Sequence, residues 1–172
     1  MARTLKKGRF ERRLQPDWNT AKKLWDVARA FFEAHGLDPN ESYAMAMTSS
    51  ELLENALKYG DWDRSGEEDV RFVAEVDGRA AIVEVESPVV DDEVRLRLLD
   101  DRVQWIRGFQ SPFEAYVQRL KEISASAYRE DESGLGLCRI AYEARCLLDF
   151  YVTPTGRLAM SAVYQPSGSI AP

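Results

Sequence analysis

The sequence predicts an α+β fold, a two-layer sandwich of helices on a mixed, mostly antiparallel sheet. Three observations carry that prediction. Apolar stripes at helical spacing run through long stretches, the first over 17–35 and the second from Pro39 to Gly60. Strand-like alternation comes in adjacent pairs joined by short turns, around Asp77-Gly78 and around Pro154-Thr155-Gly156, which is how antiparallel hairpins are written. Finally, 172 residues with 45% hydrophobic and 30% charged side chains can build one real core, and neither an internal repeat nor a linker divides them. The prediction is one domain over 1–172, carrying a helical insertion at about 88–133 and a disordered tail from about 166.

The elements follow in order. Phe10, Arg12 and Leu14 alternate with polar neighbours in a short strand ended by Pro16. The helix over 17–35 puts Leu24, Val27, Ala28, Phe31 and Phe32 on one stripe and stops at Gly36, with His35 a structural residue in its last turn. Asp38-Pro39-Asn40-Glu41 starts the next helix, with Asp as N-cap, Pro at the first position and Glu closing a capping box. Val70, Phe72, Ala74 and Val76 form one strand of a hairpin, and Ala81, Val83 and Val85 form its partner. Val94 to Ile106 reads as a helix capped by Asp91 or Asp92 and ended by Gly108. Ser111-Pro112-Phe113-Glu114 is a second capping box, opening a helix whose apolar side is Phe113, Tyr116, Val117, Leu120 and Ile123. A polar stretch over 128–133 leads into a helix from Gly134, with Leu137, Ile140, Ala141 and Ala144 inward. Strands around 147–153 and 157–165 close the chain.

Composition narrows the function classes. A net charge of −6 argues against nucleic acid as the partner, although Arg3, Lys6, Lys7, Arg9, Arg12 and Arg13 make the first residues locally basic. One histidine and two cysteines spaced eight apart form neither a zinc framework nor a disulfide framework. No apolar run reaches the roughly 18 residues of a membrane span, and the start lacks a signal-peptide core. A cytoplasmic protein without membrane contact is the expectation.

Two segments carry chemistry. On the second helix Thr48, Glu51, Asn55 and Lys58 are three, four and three apart, so they share one face. A carboxylate there can activate a nucleophile, an amide oxygen can bind a hard metal, and an ammonium can meet phosphate. A solvated helix face accounts for the same row, and Glu54 with Lys58 is a favourable i, i+4 pair that needs no ligand. The second segment is Gly134 and Gly136 at a helix start, where backbone amides and the helix dipole favour an anion and glycine lets a phosphate approach. A tight loop with close helix packing is the alternative reading of that pair.

In type and order, these elements resemble the GHKL ATPase superfamily (gyrase, Hsp90, histidine kinases, MutL). They are most similar to the bacterial anti-sigma-factor serine/threonine kinases. The resemblance runs over roughly 8–165 and implies the histidine-kinase-like ATPase fold. Glu51-Leu52-Leu53-Glu54-Asn55-Ala56-Leu57-Lys58-Tyr59 resembles the N box, and Ser133-Gly134-Leu135-Gly136-Leu137 resembles the phosphate-cradling Gly-rich box. The resemblance implies Glu51 as base or water-orienting residue, Asn55 as Mg²⁺ ligand and Lys58 as phosphate contact. It further implies ATP contacts at Gly134, Gly136 and Leu137, and a lid over ATP within 88–133. The family's middle box, Asp-x-Gly-x-Gly, is missing: Val85-Glu86-Ser87-Pro88-Val89-Val90-Asp91 has no glycine, and Ser87 or Glu86 stands nearest the expected Asp. Glu132 also replaces a glycine common ahead of the phosphate loop.

Two functions follow from the resemblance. One is an ATP- and Mg²⁺-dependent serine/threonine kinase acting on a small regulatory protein in partner-switching signalling. The other is a degenerate regulator that binds a protein partner, an anti-anti-sigma-like regulator or a sigma factor, without nucleotide. A homodimer accords with the resemblance, though no residue pattern requires one.

Overall fold

The computed structural model describes residues 4–65, 69–89, 93–125 and 134–166. The expected cap at Asp91 or Asp92, the polar segment 128–133 with Glu132 and Ser133, and the tail beyond 166 lie outside those residues. Strands β1 (Gly8–Leu14), β2 (Val70–Val76), β3 (Ala81–Pro88), β4 (Leu147–Val152) and β5 (Arg157–Tyr164) form one sheet in the order β1-β2-β3-β5-β4. Every pairing in it is antiparallel. Helices α1 (Trp18–Ala34), α2 (Pro39–Tyr59), the short α3 (Trp62–Ser65), α4 (Glu93–Arg107), α5 (Pro112–Ala125) and α6 (Leu135–Tyr142) complete the chain. The result is the two-layer α+β sandwich.

The strand period of two sorts the sheet into opposite faces. Phe72, Ala74, Val83, Val85, Met160 and Ala162 are buried together with Leu52 and Leu53 of α2 in the core between the layers. The other face carries Arg71, Glu84, Glu86 and Arg157, which meet in ion pairs instead of burying apolar surface. α2 is the central helix, packed on α1, the sheet and α6, and α4 and α5 rest on α6. The insertion is therefore docked on the body, through Val103 and Ile106 of α4 and Ala115 of α5.

Local chemistry explains where α2 sits. The Asp38 carboxylate accepts from the Asn40 and Glu41 amides at 2.9 Å each, while Glu41 accepts from the Asp38 amide at 2.7 Å. This capping box fixes the helix start. At the other sheet turn, the Asp77 carboxylate accepts from the amides of Arg79 and Ala80, and Gly78 takes the positive φ of 99° that the tight turn needs. His35 is structural as expected: Nδ1 lies 2.6 Å from the Phe31 carbonyl, and the ring fills the space a side chain at Gly8 would need.

Two predicted faces are corrected. Val27 is 43% exposed, because α1 turns Ala21, Leu24, Ala28 and Phe32 inward. On α5 the buried residues are Ala115 and Arg119, whereas Phe113 is 51% exposed and Leu120 is 37% exposed. The partner of α5 is the short α6, so its buried stripe is narrow, and Phe113 instead lies against Tyr142 at 5.1 Å between ring centroids.

Candidate functional site

Helices α2 and α6 meet at Glu51. A capping box and an uninterrupted apolar pattern bring α2 to mid-length there, with Leu52 and Leu53 in the core and the Glu51 side chain 19% exposed. Gly136 sits directly against it. A Cβ built on Gly136 would collide with Glu51 Oε2 and stand 3.2 Å from Cδ, so only glycine allows this approach. Arg139, one helical turn further along α6, donates from Nη1 to Glu51 Oε1 at 2.6 Å and from Nε to Glu143 at 3.1 Å. Burial pushes the Glu51 carboxyl above its ordinary range, and the Arg139 guanidinium opposes that shift without cancelling it.

The start of α6 has its own features. Gly134 is the N-cap in the left-handed region (φ 61°), and it offers no capping side chain. The Arg102 guanidinium of α4 lies beside it, with Nε 3.4 Å from where a Cβ would stand. Arg102 also lies over the Trp105 ring, 5.5 Å from its centroid. The insertion thus contributes a cation at the helix start.

The remaining predicted residues occupy graded depths. Asn55 is half-buried one turn beyond Glu51, and Lys58 is exposed near the end of α2. Thr48, placed in the same row by spacing, is fully buried and donates to the Ala44 carbonyl at 2.9 Å, so it belongs to the core. Ser87 is buried on the helix-facing side of β3, opposite Leu158. Glu86 points to the other face and pairs with Arg157 at 2.8 Å and Arg71 at 3.2 Å, so it is not available on the side where α2 lies. Leu137 is buried in the core, whereas Gly134 and Gly136 are half-buried. Among the described residues, no hydrogen bond or ion pair joins Asn55, Lys58 or Ser87 to α6. No group of three His, Cys, Asp or Glu side chains among them is placed to hold a metal. Both cysteines are free and buried, and burial pushes Cys146 to about 12, so neither is a nucleophile at neutral pH.

A cleft of about 470 Å³ opens beside Glu51 on the α1 side. Its walls are Trp18 and Trp25 from α1 and Tyr43 from α2, and Glu51, Glu54 and Arg139 line it as well. The spacing from Trp18 to Trp25 and from Tyr43 through Glu51 to Glu54 puts each set on one helix face. Trp25 and Tyr43 pack edge to face at 5.0 Å.

No protein-family model matches the sequence, and no curated protein matches it. A chain in the crystal structure of the SiaB–SiaC complex from Pseudomonas aeruginosa does match in structure. The TM-score is 0.62 at 17% identity, covering 95% of this chain and 91% of that one. The likeness is one of fold. It covers the helical insertion as well as the sheet, and it comes from a protein solved in complex with another protein. Among the described residues, no helix is long and apolar enough to cross a membrane.

Arg139 and the aromatic cleft were not read from the sequence as functional. Arg139 had one signal, being the only charged residue in an otherwise apolar α6. The cleft had none, because Trp18 and Tyr43 belong to different helices whose relative position only packing sets.

Proposed function

We propose that this chain is an ATP-dependent serine/threonine protein kinase of the anti-sigma-factor type, acting on a small regulatory protein in partner-switching signalling. The observation that carries the reading is the contact between Glu51 and Gly136: the candidate base touches the first turn of the helix that the superfamily resemblance assigns to phosphate. The fold likeness to a chain from a two-protein complex supports a protein as the partner.

The residues fit a triphosphate with Mg²⁺ in their chemistry. Glycines at 134 and 136 keep side chains off the start of α6, and Arg102 adds positive charge there. Asn55 offers a hard oxygen one turn from Glu51, which suits an ion that takes most of its ligands from phosphates and water. Lys58 would meet phosphate and Ser87 would stand at the base side. Bound there, ATP would supply the phosphoryl group for the acceptor hydroxyl and leave as ADP. Glu51 receives the hydroxyl proton, and its raised pKa makes it a better base than an exposed carboxylate. Arg139 holds that carboxylate in place. Phosphoryl transfer is mainly positioning and electrostatics, so this small set suffices.

A second reading has its own observation. The Glu51–Arg139 pair, together with the missing Asp-x-Gly-x-Gly, suits a regulator that keeps the fold and binds its partner without nucleotide. Calorimetry with Mg²⁺-ATP and transfer of labelled γ-phosphate to a co-purified partner separate the two. The kinase reading expects nucleotide binding, and transfer that Glu51→Ala abolishes. No heat of binding at millimolar ATP, with partner capture unaffected by Glu51→Ala, decides for the regulator.

A further inference from the structure

We infer that the cleft walled by Trp18, Trp25 and Tyr43 receives an arginine side chain carried by a partner protein. The inference goes beyond the phosphotransfer reading and needs neither ATP nor an acceptor hydroxyl. Trp25 and Tyr43 meet at 77° with 5.0 Å between ring centroids, so two walls of the cleft stand close to a right angle. Trp18 adds a third ring from the same face of α1 as Trp25. An aromatic face carries negative charge density and attracts a cation that stands over it. Among the described residues, the cations placed over rings are Arg12 over Phe10 and Arg102 over Trp105. The three rings of the cleft therefore hold no cation of the chain itself.

The charged lining selects the sign of the guest. Arg139 and Glu51 satisfy each other at 2.6 Å, and Glu143 takes Nε and Nη2 of the same guanidinium. That leaves Glu54 and Lys22 in the lining, and no hydrogen bond or ion pair engages either one. Glu54 is half-buried in the wall, whereas Lys22 is exposed on α1 and its long chain extends into water. The charge held inside is thus a carboxylate, and the rings beside it favour the same kind of guest. A guanidinium suits both: it is planar and weakly hydrated, stacks on aromatic faces and offers a carboxylate paired N–H donors. The open mouth favours a guest borne on a protein surface. Trp18 is 50% exposed and Tyr43 is 54% exposed, whereas pockets for small molecules enclose most of their ligand. Trp, Tyr and Arg are also the residues that dominate interface hot spots.

The test uses the full chain, labelled with nitrogen-15, and capped glycine-flanked peptides whose central residue is Arg, Lys, Glu or citrulline, the neutral isostere of Arg. The four tryptophans, Trp18, Trp25, Trp62 and Trp105, each give one indole N–H signal. The Arg peptide should move the Trp18 and Trp25 signals saturably and leave those of Trp62 and Trp105 in place. It should bind about tenfold more tightly than the citrulline peptide, and more tightly than the Lys peptide. Trp18→Ala and Glu54→Gln should each erase the advantage over citrulline, Trp18→Phe should retain it, and Lys22→Ala should increase it. None of these side chains is buried in the core, so the variants keep the fold, which circular dichroism checks. No movement of the Trp18 and Trp25 signals with the Arg peptide overturns the site. So does equal affinity for citrulline or Lys, a preference for Glu, or an Arg preference that survives both Trp18→Ala and Glu54→Gln. No ATP enters the measurement, so its result stands apart from the fate of the kinase reading.

Discussion

Glu51 and Arg139, 88 residues apart in the chain, are joined by a 2.6 Å charge-assisted hydrogen bond, and the bond does not fully offset what it costs to bury the carboxylate. The folded pKa of Glu51 is raised above its unfolded value of 4.5. The folded state therefore prefers the protonated form, and its stability falls as pH rises through the folded pKa. Glu51→Gln removes the charge and leaves Arg139 still paired with Glu143. We expect the variant to melt about 2 °C or more above the wild type at pH 7, a gap that closes as pH falls below 4.5. Phosphotransfer should be lost at the same time. A lower melting temperature at pH 7 would show that the ion pair outweighs the burial.

Gly136→Ala separates stability from the site. Alanine gains roughly 0.5–1 kcal/mol over glycine within a helix. Its methyl group would occupy the position of Glu51 Oε2, so the carboxylate must rotate away and lose Arg139. The two effects oppose each other, and the melting temperature should stay within a few degrees of the wild type. Transfer to a protein or peptide acceptor should nevertheless fall by orders of magnitude. A variant with full transfer activity would remove the Glu51–Gly136 contact from the functional argument.

What the sequence made legible was short-range. Asp38 and Glu41 are three residues apart, and their reciprocal capping follows from helix geometry alone. Asp77-Gly78 announced its hairpin, and the alternation in β3 placed Ser87 with Val83 and Val85 and put Glu86 on the opposite face. The helical row of Glu51 and Asn55 was readable for the same reason. Faces set by a distant partner were not. Val27 and Phe113 fit an apolar stripe, yet what each helix packs against decides which part of a stripe is covered. Arg139 gave no sign of its partner because its contact with Glu51 depends on α6 crossing α2. Register and caps are local; crossings are not.

Arg71 predicts the acid limb of the stability curve. Its guanidinium meets Glu11 at 2.7 Å, Glu86 at 3.2 Å and Glu84 at 3.3 Å on the sheet face opposite α2. The hydrogen bond from Arg71, then that from Arg9, holds Glu11 down at about 2. A depressed carboxylate contributes stability above its unfolded pKa, here 4.5, and loses it as pH falls toward about 2. Glu11 is 41% exposed, so solvent and salt weaken the effect. Arg71→Ala should flatten the fall in stability between pH 4.5 and 2, and added salt should mimic it in the wild type. Urea melts across that range measure both. Parallel acid limbs in the two proteins would exclude the network as their cause.

The outer edge of the sheet yields the last prediction. β4 is an edge strand with exposed Leu147, Tyr151 and Val152, a composition that invites pairing with another strand. Two side chains occupy its backbone. Arg107 of α4 donates to the Leu148 carbonyl, and the Asp149 carboxylate accepts from the Phe150 amide at 2.9 Å. Leu148 and Phe150 are two residues apart, so their outward groups lie on the same edge, and an incoming strand would have to displace both side chains. Arg107→Ala frees the carbonyl and leaves the apolar residues exposed. We expect a higher weight-average mass in sedimentation than for the wild type at equal concentration, increasing further in the Arg107→Ala/Asp149→Ala double variant. If both variants sediment as the wild type does, the edge is protected by something other than these two side chains.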